Sequence, residues 1–486
     1  MSLSEKKIPE SVYGSEEMVI GCPSDTSKCE NQATCAEERA FVRKIDMMIL
    51  PIICSINFMQ FIDKTTINYA AMFTFQEDLH LVGNQFNILA SIFYLGYLVF
   101  QLPNNYFLQR VPLAKYIGTI VFMWGAVLFC AGFSQNFSQI TALRFLLGLF
   151  EAGIYPALIL LVSTFYRRKE QVARLGCVWI CNGLAMAIGG LISYGIGRMD
   201  NLGMAQWRWI MLILGGVTCV VGIFAFFFLI DNPRSKYLRL NAESDILVEN
   251  RTRDNAVVRT TVIKKDHIIE ALKEVRLWAY CFATMLFCLS GGLDFYSAQI
   301  IHSFGFSNLQ SVLLSIPNGA LDIFFIMLSV YLSNKYNQNI YVACAMLCIG
   351  NIGSLLIVVI PNPKYKLIGQ YLGWAAVSAY VLLLASISNN VSGYTKKIFY
   401  NSMMMVSYTI GNFIGPFVMA PEFAPRFVPS LVIYMCANVV GGFLLLIVRW
   451  RMAAVNRRRL ANPSGTVTQV EDNLTDTQDP NFIYRL

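Results

Sequence analysis

The chain has 486 residues, of which 56% are hydrophobic and 14% are charged, and its formal net charge is +8. This composition, with a mean hydropathy of +0.51, is too apolar and too poor in charge for a soluble protein of this length. We therefore predict an integral membrane protein, and we attribute the positive charge to membrane topology rather than to nucleic-acid binding.

The first 40 residues are polar and lack the apolar core of a cleavable signal peptide, so we expect a disordered cytosolic tail over residues 1–40. Cys22, Cys29 and Cys35 are separated by six and five intervening residues. This spacing does not match the usual zinc-binding patterns, and no metal site is predicted there. The first apolar helix itself is expected to direct insertion into the membrane.

Twelve stretches are long and apolar enough to cross a bilayer as helices, each needing roughly 20 residues. The longest polar interval, 231–276, follows the sixth stretch and separates two groups of six. The predicted fold is an all-α membrane protein with twelve transmembrane helices in two pseudo-symmetric six-helix halves. The expected divisions are a tail over 1–40, one half over 41–230, a cytosolic loop over 231–276, the other half over 277–452, and a cytosolic, disordered C-terminal tail over 453–486.

The basic residues predict the orientation. If both termini are cytosolic, the inner segments hold 31 of the 38 Lys and Arg residues and the outer loops hold five. Lys and Arg near membrane helices resist translocation, so this asymmetry indicates that both termini lie in the cytosol.

Motifs of soluble enzymes are missing from the sequence, which contains neither GxxxxGK[ST] nor HExxH, and only three scattered histidines. We therefore expect a transporter rather than an enzyme, with no cofactor and no metal. The protein is expected to interact with a small molecule, with protons and with the lipid bilayer, and to be a monomer.

A few ionisable residues fall inside the apolar stretches, where each is unfavourable by at least about 2.5–3.5 kcal/mol unless it faces a partner or a watery cavity. They mark the places to look for chemistry. They are Asp63 and Lys64 in helix one, Arg144 and Glu151 in helix four, Asp294 in helix seven and Asp322 in helix eight.

Helix four places Arg144 and Glu151 seven residues apart, on one face and offset by about 10.5 Å. This distance is too long for a direct ion pair, so each residue is expected to find its partner on helix one. Gly148, Ala152, Gly153 and Pro156 permit close helix approach and a bend. The four charges either form one cavity or form two buried ion pairs that only hold the helices together.

A shared cavity suggests coupled chemistry. Lys64 and Arg144 could bind an anionic substrate, Arg through a planar fork and Lys as a point charge. Asp63 and Glu151 could carry protons, because desolvation favours the neutral form of a buried carboxyl group. Protonation would then release the neighbouring cation for the substrate.

The second half offers weaker candidates. Asp294 lies about as far into helix seven as Asp63 lies into helix one, so it is a candidate substrate-binding residue. Asn389, at the inner end of helix ten, either lines the pathway or caps the helix. Aromatic residues that either line the cavity or pack the helices are Tyr94, Tyr97, Tyr155 and Tyr296.

Several motifs resemble one family. Helix four and the loop after it read "RFLLGLFEAGIYPALILLVSTFYRRKE", the loop expected after helix two reads "LPNNYFLQRVPLAKY", and helix six opens with "WRWIMLILGG". Later stretches are "NNVSGYTKKIFYNS" and "GNFIGP". From about residue 41 to 460 the chain resembles the major facilitator superfamily and, within it, the anion:cation symporters of the fungal allantoate permease group.

The resemblance implies a proton-coupled importer in a fungal plasma membrane that works by alternating access. Its implied substrate is a small organic anion, such as allantoate, ureidosuccinate or a vitamin acid. It also implies coupling and binding roles for Asp63, Lys64, Arg144 and Glu151, with Lys64 standing where the family more often has Arg. The alternatives are an exporter or drug/proton antiporter with the same fold, and a nutrient sensor that does not transport.

Overall fold

A computed structural model describes residues 25–166, 168–199, 203–231, 264–424, 426–461 and 474–486. Within these residues the regular secondary structure is helical, and no strand occurs. The prediction of an all-α protein is therefore confirmed. The expected disorder over residues 1–40 is wrong for residues 25–40, because the first helix begins at Asp25, well before its apolar stretch. Residues 1–24 of the expected tail and residues 232–263 of the expected cytosolic loop fall outside the described residues.

Twelve helices, α1–α12, occur at the twelve predicted stretches, and three of them consist of two segments. Ten are long and apolar enough to span a membrane; the apolar part of α2 is shorter, and α11 begins with the polar sequence YTKK. The bounds are α1 Asp25–Ala70, α2 Gln85–Arg110, α3 Leu113–Ala131, α4 Phe137–Glu151 with Ile154–Phe165, α5 Arg168–Gly197, α6 Gln206–Phe228, α7 Val275–Leu289 with Gly291–Ser303, α8 Asn308–Tyr336, α9 Asn339–Val359, α10 Pro363–Gly373 with Ala375–Asn390, α11 Tyr394–Val418 and α12 Val428–Ala461.

The chain forms two compact units, Met1–Met47 and Met48–Leu486. The described part of the first unit is helical. The second unit contains the rest of α1 and all of α2–α12. Its outer surface is apolar: side chains that are at least 60% exposed include Val220, Phe227 and Phe228 of α6 and Val439 and Phe443 of α12. Such a surface suits contact with lipid.

Successive helices alternate in direction, and short connections join them except between α6 and α7, where residues 229–274 intervene. Within the second unit, odd-numbered helices from α3 onward therefore begin, and even-numbered helices end, on one side, which we call the first face. The opposite side is the second face. The segment "LPNNYFLQR" lies inside α2 near the first face, where Asn104 accepts a hydrogen bond from the Tyr116 hydroxyl.

The two halves meet along α2 with α11 and along α5 with α8. At the α5–α8 crossing, a Cβ on Gly183 would lie 2.5 Å from the Gly319 carbonyl oxygen, so only glycine allows this approach. Toward the second face, the amide of Asn87 in α2 donates to the Met419 carbonyl at 3.1 Å, and its oxygen accepts from Tyr296 of α7. The Ala298 N–H of α7 donates to Asn68 of α1 at 3.1 Å.

A short helix, Lys265–Lys273, precedes α7, and residues 474–486 pack at the first face against the ends of the second-half helices. The polar composition of this segment predicts a disordered tail. That prediction is wrong for residues 474–486: side chains of α10 and α12 bind their backbone. Asp476 is fully buried between Arg276 of α7 and Lys396 of α11.

Candidate functional site

The helical period of α1 and α4 turns their charged residues toward each other. Lys64 Nζ of α1 lies 2.9 Å from Glu151 Oε1 of α4, with the Lys64 side chain 17% exposed and that of Glu151 completely buried. Glu151 is the last residue of the first α4 segment, and Gly153 precedes the second segment. The break in α4 therefore lies next to this ion pair.

Gln60, one helical turn before Lys64, also binds Glu151. Its Nε2 donates to the same Oε1 at 3.0 Å. The other carboxylate oxygen, Oε2, is buried and has no hydrogen-bond partner within the described residues. Oε1 of Glu151 thus contacts both Lys64 and Gln60, whereas Oε2 is available to accept a hydrogen bond or to bind a proton.

Asp63 is buried on a neighbouring side of α1. The indole Nε1 of Trp124 in α3 donates to its Oδ2 at 2.6 Å, while Oδ1 has no hydrogen-bond partner in the part of the chain that the structure describes. A buried carboxyl group with an open oxygen is the arrangement expected of a group that binds a proton or a ligand.

Arg144 of α4 is the fourth charged residue of the predicted site. It is 5% exposed, and its Nη2 likewise has no hydrogen-bond partner among the described residues. A small cavity joins it to the α1 charges, with Phe295 of α7 contributed by the other half. The lining residues are Asp63, Lys64, Ile67, Leu89, Ala90, Phe93, Tyr94, Arg144, Leu147 and Phe295.

Aromatic side chains surround the cations. Lys64 Nζ lies 5.3 Å from the centroid of the Tyr155 ring, which stacks on Trp179 of α5 at 5.9 Å. A cation over a ring face is stabilised by the ring quadrupole. Of the other candidate tyrosines, Tyr94 lines the cavity, Tyr97 is buried in α2, and Tyr296 binds Asn87 toward the second face.

The remaining candidates lie elsewhere. Asp294 is an exposed residue of the second α7 segment and is not among the residues that line the cavity. Asp322 is a buried residue of α8 whose Oδ1 has no hydrogen-bond partner within the described residues. Asn389 is exposed at the first-face end of α10, and the structure does not bring it to the cavity. Its neighbour Asn390 is buried and binds Arg485.

Gln60 and Trp124 were not predicted from the sequence as site residues, although both donate hydrogen bonds to the predicted carboxylates. A signal for Gln60 existed, because Asn57, Gln60, Lys64 and Asn68 recur at helical spacing and form a polar stripe on α1. Nothing comparable marks Trp124, since a Trp in an apolar helix is usually a packing residue.

Comparison with known proteins connects this geometry to a family. The chain is 30% identical to the allantoate permease of Saccharomyces cerevisiae, with 94% of this chain and 88% of the permease covered. It is 28% identical to the thiamine pathway transporter of the same yeast, covering 91% of this chain and 86% of that transporter. These relatives are transporters and not enzymes.

A solved structure has the same fold. A bacterial homologue of the human lysosomal transporter Spinster, in an inward-facing and occupied conformation, superposes with a TM-score of 0.65 at 14% identity, covering 82% of this chain and 96% of that chain. The Major Facilitator Superfamily model matches residues 53–416. The chain therefore belongs to the Major Facilitator Superfamily, and its twelve helices are consistent with the fold of that family.

Proposed function

We propose that the protein is a proton-coupled importer of a small organic anion, of the allantoate permease type, working by alternating access. One observation carries this proposal: the Lys64–Glu151 ion pair, at 2.9 Å, adjoins a cavity that Asp63 and Arg144 also line. Two acids and two bases that served only to hold helices together would be expected to satisfy all their polar atoms, whereas Asp63, Arg144 and Glu151 each have one polar atom without a hydrogen-bond partner among the described residues.

The proposed coupling follows from the geometry. A proton on Glu151 would neutralise the partner of Lys64 and leave the ammonium group available for a carboxylate. Arg144, on the other side of the cavity, would bind the same anion through its free Nη2. Substrate and proton would then stabilise the same loaded state, and each would raise the affinity for the other.

The orientation is part of the proposal. The excess of Lys and Arg at the first face supports a cytosolic first face with both termini inside. The plasma-membrane location is proposed from the resemblance to fungal permeases. The described contacts between the halves toward the second face would then close the outer side, leaving release to the cytosol. Allantoate, ureidosuccinate, nicotinate and pantothenate form the first panel of test substrates.

A growth screen tests the function directly. A fungal strain lacking its own permeases would express the chain and be grown on each acid as the limiting nutrient, followed by uptake of the labelled compound with and without an inward proton gradient. We expect gradient-dependent accumulation. A protein that exports, or that signals without flux, would give no uptake on any member of the panel.

Glu151→Gln tests the coupling group. The amide keeps the shape and the hydrogen bond from Gln60 but cannot ionise, so we expect it to abolish gradient-driven accumulation while surface expression is retained. Glu77→Gln is the matched control, because Glu77 is exposed in the short helix Phe75–Asp78 and lies outside the cavity. Undiminished uphill uptake by Glu151→Gln would remove Glu151 from the mechanism.

A further inference from the structure

Residues 474–486, which we call the C-terminal segment, are docked on the first face of the second half through a buried carboxylate. Asp476 is fully buried, and its Oδ2 accepts hydrogen bonds from Arg276 Nη2 at 2.5 Å and from the Tyr484 hydroxyl at 2.8 Å. Its Oδ1 lies 3.0 Å from Lys396 Nζ of α11. The segment thus contributes an acid that two basic residues of the helix ends neutralise.

Two asparagines bind the backbone of the segment in a reciprocal way. Asn390 of α10 donates to the Arg485 carbonyl at 2.8 Å and accepts from the Arg485 N–H at 2.7 Å. Asn456 of α12 makes the same pair of bonds with Tyr484, at 2.8 and 2.9 Å. Arg459 donates to the Asp476 carbonyl at 2.8 Å. Such paired contacts fix the position of one particular peptide.

The docking cluster is rich in negative charge. Lys396 also pairs with Glu270 at 2.8 Å and with Glu274, and Arg276 pairs with Glu274 at 2.8 Å. Three carboxylates therefore share these two cations. Burial alone would raise the pKa of Asp476, but the charges of Arg276 and Lys396 outweigh burial and hold this pKa below its ordinary value. The carboxylate is thus ionised at neutral pH, and the cluster carries little spare positive charge.

Thr477 places a hydroxyl group at the centre of this cluster. Its Oγ1 donates to Glu274 Oε1 at 3.0 Å and accepts from Lys396 Nζ at 3.1 Å. The residue is nevertheless exposed, whereas Thr475 beside it is fully buried and bonded to Glu270. Thr477 is thus the threonine of this cluster that a modifying enzyme can reach from solvent.

We propose that Thr477 is a phosphorylation site and that its modification releases the C-terminal segment from the first face. A protein kinase would transfer the γ-phosphoryl group of ATP to Oγ1, the hydroxyl proton would leave, and ADP would be the other product. The phosphate adds a charge of about −1.5 to −2 at neutral pH next to carboxylates, where like charges repel. Because the phosphoryl group takes the place of the hydroxyl proton, Thr477 also loses the hydrogen bond that it donates to Glu274.

Release would free the ends of several helices at once. The segment joins α7, α9, α10, α11 and α12 and the helix Lys265–Lys273 at the first face. The second half would become less rigid at the side that must close during alternating access. Because kinases and ATP are cytosolic, this inference rests on the proposed orientation, but it does not depend on what is transported.

Hydrogen–deuterium exchange on the purified full-length protein tests the release. In Thr477→Glu we expect amides of the C-terminal segment to exchange roughly tenfold faster or more, since a repelled segment opens more often. Thr477→Val, which removes the hydroxyl without adding charge, and Ile483→Glu, which adds a charge at an exposed position of the same segment, should stay within about threefold of the unmodified protein. Protection in Thr477→Glu equal to that of the unmodified chain would overturn the release.

Mass spectrometry tests the modification. Trypsin should release residues 460–485 as one peptide, because no Lys or Arg occurs between Arg459 and Arg485. We expect a phosphate localised to Thr477 in protein isolated from fungal cells, and its loss in Thr477→Val. Phosphate found only on other residues of this peptide, or on none in growing and in stationary cells, would overturn the assignment. Neither measurement uses a substrate, so a failed transport assay leaves both results interpretable.

Discussion

Arg144 has unused hydrogen-bonding capacity at the cavity, because it is buried and its Nη2 has no partner within the described residues. A guanidinium group can hold a carboxylate through two parallel hydrogen bonds, whereas an ammonium group binds it as a point charge. Arg144→Lys should therefore raise the substrate concentration for half-maximal uptake. A lost charged hydrogen bond of about 1.5–3 kcal/mol corresponds to roughly 10- to 150-fold.

The measurement is concentration-dependent uptake, normalised to the amount of protein at the cell surface. Arg208→Lys is the matched control: Arg208 is a half-buried residue of α6 that donates to the Gly132 carbonyl at 3.0 Å, outside the cavity. Arg144→Ala should weaken uptake more than Arg144→Lys. If the concentration dependence of uptake is unchanged in both variants, Arg144 does not bind the substrate and has only a structural role between helices.

At the scale of single residues, the sequence was informative where side chains are rare in membranes. Asp63, Lys64, Arg144 and Glu151 could be selected because charge inside an apolar helix needs a reason. Their partners could not be selected in the same way. Gln60 belongs to a polar stripe on α1, but the stripe does not identify its partner, and Trp124 is an ordinary residue of an apolar helix. Only the fold shows that they donate to Glu151 and Asp63.

The crossing of α2 and α4 depends on glycines that let the two backbones touch. A Cβ at Gly148 would collide with the Phe93 carbonyl oxygen, and a Cβ at Gly96 would collide with that of Phe145. Gly148→Ala should therefore lower the melting temperature of the purified protein, since overpacking a fixed backbone contact is unfavourable by about 1–3 kcal/mol. Because Gly148 lies between Arg144 and Glu151 on α4, uptake should fall as well.

Gly216→Ala is the control for this prediction. Gly216 lies within α6, and a Cβ there would meet no atom within 4 Å. Since alanine favours a helix over glycine by up to about 1 kcal/mol, this variant should melt at the same or a higher temperature. If Gly148→Ala melts no lower than Gly216→Ala, close packing at the α2–α4 crossing does not limit stability.

At the scale of elements, apolar length predicted all twelve helices. The bend in α4 was also predicted, from its glycines and proline. The breaks at Ser290 in α7 and Trp374 in α10 were not, although glycines adjoin both of them. Glycine also occurs inside an unbroken helix, as Gly215 and Gly216 do in α6, so its presence alone does not predict a break.

At the scale of the whole molecule, the decisive contacts join residues that are distant in sequence. Tyr296 and Asn87 are 209 positions apart, and Arg276 and Asp476 are 200 apart. No local pattern links such pairs, so neither the closure of the halves toward the second face nor the docking of the C-terminal segment could be predicted. The asymmetry of Lys and Arg predicts which side is cytosolic, but it does not predict which contacts join the helices on either side.

Asn87 joins the two halves toward the second face by bonding both Met419 and Tyr296. Asn87→Ala removes both bonds, so this side should open more often. A loss of about 1–3 kcal/mol corresponds to roughly a 5- to 150-fold larger open population. A cysteine at Ala90, which lines the cavity, should then react faster with a membrane-impermeant maleimide added outside intact cells, after subtraction of labelling in the chain without that cysteine. Asn351→Ala is the control, because Asn351 accepts from Asn438 at 3.1 Å within one half. Equal labelling in the two variants would mean that Asn87 does not hold the outer side closed.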